Sequence, residues 1–521
     1  RSRRRHRPPV QAERMNVAQL LFAAASRFGG NDAIVHRDGR VSYNQLVQAV
    51  GATSRLLREL GVEPGDRVAL LITNSPGYVS AYYGVLAAGA VAVPLNSASR
   101  AEELARTIAH SGSRLLVADR HHSQLATLKA ITQGLHVQSM DGSRADWAGG
   151  GADSSQPVEC EADAAATILY TSGTTGAPKG VTLSHANIDC NIRAITEYLG
   201  LTADDSIVTV LPFHYSYGNS VLQTHMAVGA KLVIENGMHY PAKVLGLMES
   251  ERVTGFSGVP STYALLISRC RPQEYRLDSL RYMTQAGGAM TPALTRQVLS
   301  AFSHSDLFVM YGQTEATARL TYLPPRQLQN KLGSVGIPLD GVRIDIRDEA
   351  GNSLPAGQAG EVWVSGRNIM QGYWRDPERT AEVISRGWLR TGDLGYLDED
   401  GYLFLEGRRD DIIKSGAHRI SPYEIEEVIS QLDEVEEVAV TGVADEVLGQ
   451  RIKAVIVARP GAHLDSMTVC RHCLHRLPAF KVPKQVAFVP ALPKTSSGKV
   501  KRYMLGDSIP GRGKDVQFAL Q

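Results

Sequence analysis

An α/β fold with a separate small domain at its C-terminal end is predicted by three features of the sequence. Between residues 67 and 311, short apolar segments alternate with helix-like stretches, as in a parallel sheet covered by helices. From about residue 330 to 406, short segments separated by Gly-rich turns predict antiparallel strands or a small barrel. Residues 411–521 then read as a compact α+β unit of about 100 residues.

The individual elements follow from these patterns. Strands of the parallel sheet are predicted at Arg67–Ile72, Ala90–Leu95, Arg114–Ala118, Ser206–Leu211, Ala230–Ile234 and Asp306–Tyr311. The antiparallel strands are predicted at Val342–Arg347, Glu361–Val364 and Tyr402–Leu405. The C-terminal unit is predicted to contain helices at Pro422–Ser430 and Met467–Arg476, and strands at Glu436–Val443 and Arg451–Ala458. A chain of 521 residues that is 43% hydrophobic is long enough for two or three packed domains.

Charge and hydropathy exclude several classes of function. The net charge is only +2 and several arginines precede Met15, so nothing requires nucleic acid as a partner. We expect residues 1–14 to be a disordered basic extension, with an RNA- or membrane-surface tail as the alternative. This start lacks the apolar segment of a secretory signal, and no apolar run reaches the roughly 18 residues of a membrane helix. The sequence therefore predicts a soluble, cytoplasmic protein.

The five cysteines do not indicate a disulfide framework in a chain of this length. Cys470, His472, Cys473 and His475 invite a zinc or redox interpretation, but no second ligand pair follows at zinc-finger spacing. We interpret them as residues on the faces of an amphipathic helix.

A loop suited to phosphate follows the apolar run at residues 164–169. Residues 170–180 read YTSGTTGAPKG, and glycines let a backbone turn its N–H groups toward an anion. The hydroxyl side chains and Lys179 add donors and one positive charge. Lys179 is followed by Gly180, and the glycine spacing differs from a Walker A loop, which argues against a P-loop kinase or ATPase. The alternative is an ordinary surface loop.

Two further segments end in carboxylates beside glycine. Residues 311–315 read YGQTE and follow a predicted strand, at the position where open α/β sheets bind ligands. Glu315 is a candidate Mg²⁺ ligand, Thr314 a phosphate contact and Tyr311 a stacking partner for a base. Asp393 in the Thr-Gly-Asp turn at 391–393 can accept both hydroxyls of a ribose. Taken singly, either segment is also compatible with a simple turn.

Two charged segments accompany the C-terminal unit. Residues 407–416 read GRRDDIIKSG, which suits either a linker or a hinge between domains. Residues 493–502 read PKTSSGKVKR and place Lys499 on a Gly/Ser loop, where a lysine is ordinarily a solvated charge.

Together and in this order, the five segments resemble the AMP-forming adenylate-forming superfamily, which includes acyl- and aryl-CoA ligases, luciferases and peptide-synthetase adenylation domains. The resemblance runs from about residue 17 to 505. It implies a large N-terminal domain, residues 15–409, of two stacked α/β subdomains plus a small barrel. A small mobile α+β lid domain, residues 410–521, would follow a hinge at Asp410.

The resemblance also implies roles in binding ATP. Asp393 and Arg408 would contact the ribose, and Gly287, Gly288 and Ala289 would form one wall of the nucleotide site. Tyr311 would stack near adenine, beside Gly312 and Gln313. The residues expected around the phosphates are Thr171, Ser172, Gly173, Thr174, Thr175, Gly176 and Lys179.

The implied chemistry is attack of a carboxylate on the α-phosphorus of ATP, in which positioning and charge neutralisation dominate. Thr314 would contact phosphate, Glu315 would hold Mg²⁺, and Lys499 would bridge the carboxylate and the α-phosphate. The small domain would then rotate and present Lys414 and Gly416 to a thiol. The expected activity is therefore an ATP-dependent acid–thiol ligase that proceeds through acyl-AMP.

The acid and the acceptor are less closely defined. Phe213, His214, Tyr217 and Gly218 match the family's acyl-pocket segment, although the aromatic residues could also pack the core. His214, a candidate catalytic residue, cannot supply the negative charge that pairs with an α-ammonium, which favours an aliphatic or aryl acid over an α-amino acid. The thiol is expected to be CoA, with the phosphopantetheine arm of a stand-alone carrier protein as the alternative. A non-catalytic nucleotide-binding paralogue is the further alternative.

Overall fold

The described residues form three β-sheets, two in the large N-terminal part and one in the C-terminal part. The computed structural model describes residues 14–146, 148, 156–171, 178–416, 418–494 and 500–506. Within these residues no helix is long and apolar enough to cross a membrane.

Local sequence accounts for where many helices begin and end. The described helices are α1 Ala18–Phe28, α2 Tyr43–Glu59, α3 Pro76–Ala87, α4 Ala101–Ser111, α5 Leu125–Ile131, α6 His185–Leu199, α7 Ser216–Val228, α8 Pro241–Ser250, α9 Pro260–Arg269, α10 Pro292–Ala301, α11 Pro377–Val383, α12 Pro422–Ile429 and α13 Ser466–Leu474. Ser42 and Ser184 form capping boxes at the starts of α2 and α6. Helices α3 and α8 to α12 carry proline in their first turn, where its missing N–H costs nothing. Gly112 and Gly200 end α4 and α6 in the left-handed conformation.

The strands of the N-terminal part come first in the chain. They are β1 Asp32–His36, β2 Gly39–Ser42, β3 Arg67–Leu71, β4 Val91–Pro94, β5 Leu115–Asp119, β6 His136–Met140, β7 Ala165–Thr171, β8 Lys179–Ser184, β9 Ser206–Thr209, β10 Lys231–Ile234, β11 Gly255–Gly258, β12 Tyr282–Gln285, β13 Asp306–Tyr311, β14 Thr321–Leu323, β15 Ser334–Pro338, β16 Arg343–Arg347, β17 Gly360–Ser365, β18 Gly372–Tyr373, β19 Ile384–Ser385, β20 Trp388–Leu397 and β21 Leu403–Arg408. The C-terminal strands are β22 Ile413–Ser415, β23 His418–Ile420, β24 Val435–Asp445, β25 Gly449–Ala458 and β26 Gln485–Phe488.

The first sheet runs in the order β18-β8-β7-β4-β3-β5-β6. The second runs β16-β17-β20-β21-β15-β14-β13-β12-β11-β9-β10-β1-β2, with β19 beside β20. Its central strands β10, β9, β11, β12 and β13 are parallel, so the chain leaves β12 and β13 at the same edge. This edge is where two of the sequence motifs emerge.

The predicted fold class is confirmed. All six strands proposed for the parallel sheet are present, but β3, β4 and β5 lie in the first sheet and β9, β10 and β13 in the second. The burial of their side chains explains why they read as continuous apolar runs. The region from 330 to 406 is antiparallel, and its strands continue through β15 and β14 into the large sheet. The C-terminal part is α+β, with α12 and α13 packed on its sheet around Ile413, Ile425 and Val469. The proposed boundaries at residues 14 and 409 stay predictions.

The cysteine-histidine cluster lies on α13, as interpreted from the sequence. Cys470 and Cys473 are buried in the C-terminal core, and burial raises their thiol pKa values to about 11 and about 12. His472 contacts the Val428 carbonyl oxygen at 3.0 Å. Among the described residues no group of three or more metal-binding side chains is assembled.

Candidate active site

A buried carboxylate, Asp393, joins two strands and a third residue. Asp393 on β20 lies opposite Arg408 on β21, and the guanidinium Nε is 2.9 Å from its Oδ1. The Tyr311 hydroxyl at the end of β13 donates a hydrogen bond to the other carboxylate oxygen. Burial and the adjacent Asp393 raise the pKa of Tyr311, so the phenol remains a donor. The structure therefore brings together the three residues assigned to ribose and adenine.

Glu315 and Thr314 lie on a 3₁₀ turn, Thr314–Ala316, just beyond β13. The Tyr373 hydroxyl donates to Glu315 Oε1 at 3.0 Å, and the Thr314 hydroxyl lies 3.1 Å from the Ser216 hydroxyl. Asp393, and to a smaller extent Glu315, raises the pKa of Arg408. The two carboxylates thus act on one guanidinium and belong to one site.

The turn after β12 forms part of the same edge. Gly287 has φ +83°, which favours glycine, and Gln285 Nε2 donates to the Gly288 carbonyl oxygen at 2.8 Å. Gly288 and Ala289 are exposed. At Gly312 a Cβ atom would lie 2.0 Å from the Ala318 carbonyl oxygen, so this position requires glycine for close backbone packing.

The predicted phosphate loop begins and ends in an antiparallel pair of strands. Thr171 on β7 lies opposite Lys179 on β8, and Lys179 Nζ is 5.9 Å from the ring centroid of Tyr373. The loop residues Ser172, Gly173, Thr174, Thr175 and Gly176 lie outside the described residues.

The expectation that Gly180 turns the backbone toward an anion is wrong, because Gly180 is paired within β8. A Cβ atom there would approach Ile168 to 2.8 Å and Trp374 to 3.2 Å. The glycine permits strand packing.

A cavity of about 550 Å³ lies beside the ends of β9 and β11. Its lining includes His214, Val259, Ser261 and Leu265, together with Lys494 from the C-terminal part. His214 is 9% exposed, and burial lowers its pKa to about 4, so its imidazole is neutral at pH 7. The lining also includes Glu436 and Glu437, and Glu437 is paired with Lys494 at 2.5 Å. The cavity thus combines apolar side chains and the neutral His214 with charged residues of the C-terminal part.

The other predicted acyl-pocket residues have different surroundings. Phe213 is fully buried and packs against Tyr78, with ring centroids 5.4 Å apart, so it belongs to the core. Gly218 allows α7 to approach Pro212, since a Cβ atom would lie 2.2 Å from that carbonyl oxygen. The Tyr217 hydroxyl donates to the Thr284 carbonyl oxygen at 2.9 Å and lies 2.8 Å from the Thr284 hydroxyl.

The segments assigned to the hinge and the thiol step follow Arg408 directly. Asp410 is exposed in a turn whose Asp411 and Ile412 N–H groups donate to the Arg408 carbonyl oxygen. Lys414 is exposed on β22, and Gly416 has φ +59°. That Asp410 is a hinge stays a prediction.

Lys499 lies outside the described residues, and Lys494 and Val500 are the described residues nearest to it. Lys494 pairs with Val500 in an isolated bridge and lines the cavity beside His214. Arg502 binds Glu426 with both terminal nitrogens, at 2.5 and 2.9 Å. Contacts thus fix the described residues on both sides of Lys499.

Comparison with known proteins identifies the family. The family model described as AMP-binding enzyme matches residues 21–374. The chain belongs to this family. A second model, the AMP-binding enzyme C-terminal domain, matches residues 424–499. The resemblance inferred from the motifs is confirmed.

Proteins similar to this AMP-binding enzyme include several CoA ligases. A feruloyl-CoA synthase from an Amycolatopsis species is 34% identical, over 94% of this chain and 96% of the relative. The oxalate–CoA ligase of Arabidopsis thaliana is 32% identical, over 87% of this chain and 90% of the relative. Among solved structures, the anthranilate CoA ligase AuaEII with anthranoyl-AMP superposes with TM-score 0.89 at 26% identity, covering 94% and 96%. ATP-bound MatB from Rhodopseudomonas palustris superposes with TM-score 0.86 at 32% identity, over 94% of this chain and 98% of MatB. The predicted enzyme class, an AMP-forming acid–thiol ligase, is confirmed.

Sequence reasoning missed two side chains that contact the motifs. Tyr373 belongs to β18 of the first sheet, yet it bonds Glu315. Ser216, at the start of α7, was within the acyl-pocket segment but had no assigned role, and it contacts Thr314. The Gly-Tyr-Trp run at 372–374 was the available signal for Tyr373.

Acidification is expected to destabilise the enzyme through buried histidines. Burial lowers the pKa of His185, His214 and His225 from 6.5 to about 4. Between these values the unfolded chain binds protons that the folded chain excludes, so stability falls as pH drops through this window. Each histidine contributes a slope of about 1.4 kcal/mol per pH unit. Urea-unfolding midpoints measured between pH 4 and 6.5 give the dependence of stability on pH. In a His225→Gln variant this dependence should be smaller by about 1.4 kcal/mol per pH unit, the contribution of one histidine. Equal slopes in the two proteins would contradict the assignment.

Proposed function

We propose that the enzyme activates an aliphatic or aryl carboxylic acid as acyl-AMP and transfers the acyl group to CoA. The observation that carries this is the convergence of Asp393, Arg408 and Tyr311 with Thr314 and Glu315 at the end of β13. Asp393 can accept hydrogen bonds from ribose hydroxyls, and Glu315 can bind a metal ion. Two such carboxylates beside the end of one strand suit a nucleoside triphosphate.

The nucleotide is bound by residues of both sheets. Asp393 accepts the ribose hydroxyls, supported by Arg408, while Tyr311 and the Gly287–Ala289 turn flank the base. Thr171 and Lys179, which face each other across the β7–β8 pair, hold the phosphate end.

Glu315 fits a Mg²⁺ ion that is held jointly with ATP. Mg²⁺ is usually bound by one or two carboxylates plus substrate phosphates. One oxygen of Glu315 accepts the Tyr373 hydroxyl, which orients the carboxylate. When bound, the ion neutralises phosphate charge.

In the first step a carboxylate oxygen attacks the α-phosphorus, and the bond to the bridging oxygen breaks to release pyrophosphate. Thr314 contacts the phosphate and Lys499 offsets the repulsion between the two anions. In the second step the CoA sulfur attacks the acyl carbon, the thiol proton is lost, and AMP leaves. Rotation about Asp410 exchanges Lys499 for the face that carries Lys414 and Gly416.

The acid is not an α-amino acid in this proposal. His214 is buried and neutral, so it offers no negative charge to an α-ammonium group. The two carboxylates that line the same cavity are already paired, Glu437 with Lys494 and Glu436 with Arg269. CoA is favoured over a carrier protein because the similar proteins are CoA ligases.

Replacing Tyr373 by phenylalanine is expected to raise the Mg²⁺ concentration needed for half-maximal activity by about three- to tenfold. This is the effect expected from losing one hydrogen bond to a charged group. The maximal rate at saturating Mg²⁺ should change less. Titration of acid-dependent ATP–pyrophosphate exchange with Mg²⁺ measures both. Tyr396→Phe, which removes a hydroxyl from a stacked surface tyrosine, is the control. A uniform loss of rate at every Mg²⁺ concentration would contradict the role.

Acid-dependent ATP–pyrophosphate exchange without thiol tests the proposal, with aliphatic, aryl, hydroxy and amino acids in parallel. Exchange with non-amino acids, followed by AMP release on adding CoA, is the expected result. AMP release with a phosphopantetheinylated carrier protein but not with CoA would favour the carrier alternative. Nucleotide binding without exchange for any acid would favour a non-catalytic paralogue.

A further inference from the structure

A buried arginine without an anionic partner lies next to the site. Arg319 is 2% exposed, and its Nε and Nη1 atoms have no hydrogen-bond acceptor among the described residues. None of the described carboxylates forms an ion pair with it. Removing an unpaired guanidinium from water costs several kcal/mol, so buried arginines are ordinarily paired.

An aromatic ring offsets only part of this cost. The guanidinium carbon lies 4.8 Å from the ring centroid of Tyr217. A desolvated cation–π contact contributes on the order of 2 kcal/mol, and the Tyr198 hydroxyl is a further, uncharged partner of the guanidinium. The Arg319 side chain therefore retains an unmet requirement for an anion.

Arg319 lies close in sequence and in contacts to Thr314 and Glu315, the residues assigned to phosphate and Mg²⁺. Arg319 follows Glu315 by four residues, and Asn368 and Asn191 fix its backbone by donating to its carbonyl oxygen at 3.0 and 3.3 Å. Its covering residue, Tyr217, is adjacent to Ser216, which contacts Thr314. Thus the tyrosine that contacts the guanidinium is the sequence neighbour of a serine that contacts Thr314.

Other buried polar atoms without partners lie on the same segments. The Gln313 Nε2, Gln285 Oε1 and Asn368 Oδ1 atoms each lack a hydrogen-bond partner among the described residues. Asn368 also contacts the Arg319 backbone, and Gln313 precedes Thr314. Unmet polar atoms that cluster on the site segments indicate a polar ligand rather than a purely apolar one.

We propose that Arg319 binds a second carboxylate of the acid substrate, at the end remote from the carboxylate that is activated. The proposal rests on the proposed function and narrows its substrate class to dicarboxylic acids. Tyr217 is half-buried, and its hydroxyl is held by Thr284, so an acid that reaches the guanidinium has to displace this ring. A planar guanidinium suits this ligand because it binds a carboxylate through two parallel hydrogen bonds.

The test compares matched acids in thiol-free ATP–pyrophosphate exchange. A series of short straight-chain and aromatic dicarboxylates is paired with their monomethyl esters, which keep the length but lose the distal charge. Wild type should prefer each accepted diacid over its ester by about 10² or more in kcat/KM, because the ester leaves the guanidinium unpaired. Arg319→Met should abolish or reverse this preference without changing KM for ATP. Arg319→Lys, which keeps the charge, should retain part of it.

Arg281→Met is the matched control. Arg281 also lies 4.8 Å from a tyrosine ring centroid, that of Tyr282, but it is paired with Asp205 at 3.0 Å. This variant should lower stability and leave the preference among acids unchanged.

Direct binding provides a readout that does not need turnover. Calorimetric titration of an accepted diacid into the AMP-bound enzyme should give heat with wild type and a much weaker signal with Arg319→Met. Equal use of diacids and esters by wild type, with an unchanged ratio in Arg319→Met, would overturn the inference and leave the proposed function standing. A raised KM for ATP in Arg319→Met would instead assign the guanidinium to a nucleotide phosphate. Failure of every acid to support exchange would overturn the proposed function itself.

Discussion

Replacing Lys499 by alanine is expected to lower acid-dependent ATP–pyrophosphate exchange by about 10² to 10³, the usual cost of losing one transition-state donor. At about 4 Å and an effective dielectric near 20, one cation offsets about 4 kcal/mol of repulsion from one anion. Thiolation of a supplied acyl-AMP should persist, because the proposed rotation removes Lys499 before the thiol attacks. Measuring the two half-reactions separately tests both statements.

Lys501→Ala is the matched control for this variant. It removes the same charge two residues further along, where the Lys501 N–H donates to the Pro493 carbonyl oxygen. We expect exchange by Lys501→Ala to stay within a few-fold of wild type, as for a solvated lysine. Equal losses in the two lysine variants would indicate a general electrostatic effect. Equal loss of both half-reactions in Lys499→Ala would contradict the two-conformation mechanism.

Much of the fold was predictable because strands buried on both faces carry continuous apolar runs. The segment at 206–211 and that at 306–311 were recognisable for this reason. The order of strands in the sheets was not predictable in the same way. The pairing of β15 with β14, which joins the antiparallel region to the large sheet, depends on contacts between distant segments.

The nucleotide side of the site was also predictable, since its residues occur in short, dense motifs. Asp393, Arg408 and Tyr311 come from three strands, yet each lies in a recognisable segment. The Gly-Tyr-Trp run marks Tyr373 as a candidate, but its contact with Glu315 depends on how the two sheets lie together and is seen only in the structure. Phe213 and His214 are adjacent in sequence, but one packs the core and the other lines the cavity, and only the structure distinguishes them.

The acid side was the least predictable for a physical reason. Whether an arginine is solvated, paired or buried without an anion depends on every element that packs around it. Arg319 follows the YGQTE motif and has no distinguishing sequence context. The proposal that Arg319 binds an anion depends on its 2% exposure and on its two nitrogen atoms without a hydrogen-bond acceptor among the described residues.

Replacing Asp393 by asparagine is expected to lower kcat/KM for ATP by about 10² to 10³. The substitution weakens two hydrogen bonds from the ribose hydroxyls to a charged group, each of which contributes about 1.5–3 kcal/mol, and the amide retains part of this energy. The substitution preserves the size of a side chain that is 6% exposed. The amide oxygen can still accept from Tyr311, but the ion pair with Arg408 is lost. The loss should appear mainly in KM for ATP, with KM for the acid little changed.

Removing the ribose hydroxyls from the ligand makes this prediction specific. Wild type should bind AMP more tightly than 2′,3′-dideoxy-AMP, whereas Asp393→Asn should bind the two with nearly equal affinity, because the group that reads the hydroxyls is gone. Asp398→Asn is the matched control, since Asp398 follows the same strand and pairs with Lys331 at 2.7 Å. That variant should keep the discrimination of wild type. If Asp393→Asn still distinguished the two nucleotides as strongly as wild type does, Asp393 would be a structural partner of Arg408 and Tyr311 and not the ribose acceptor.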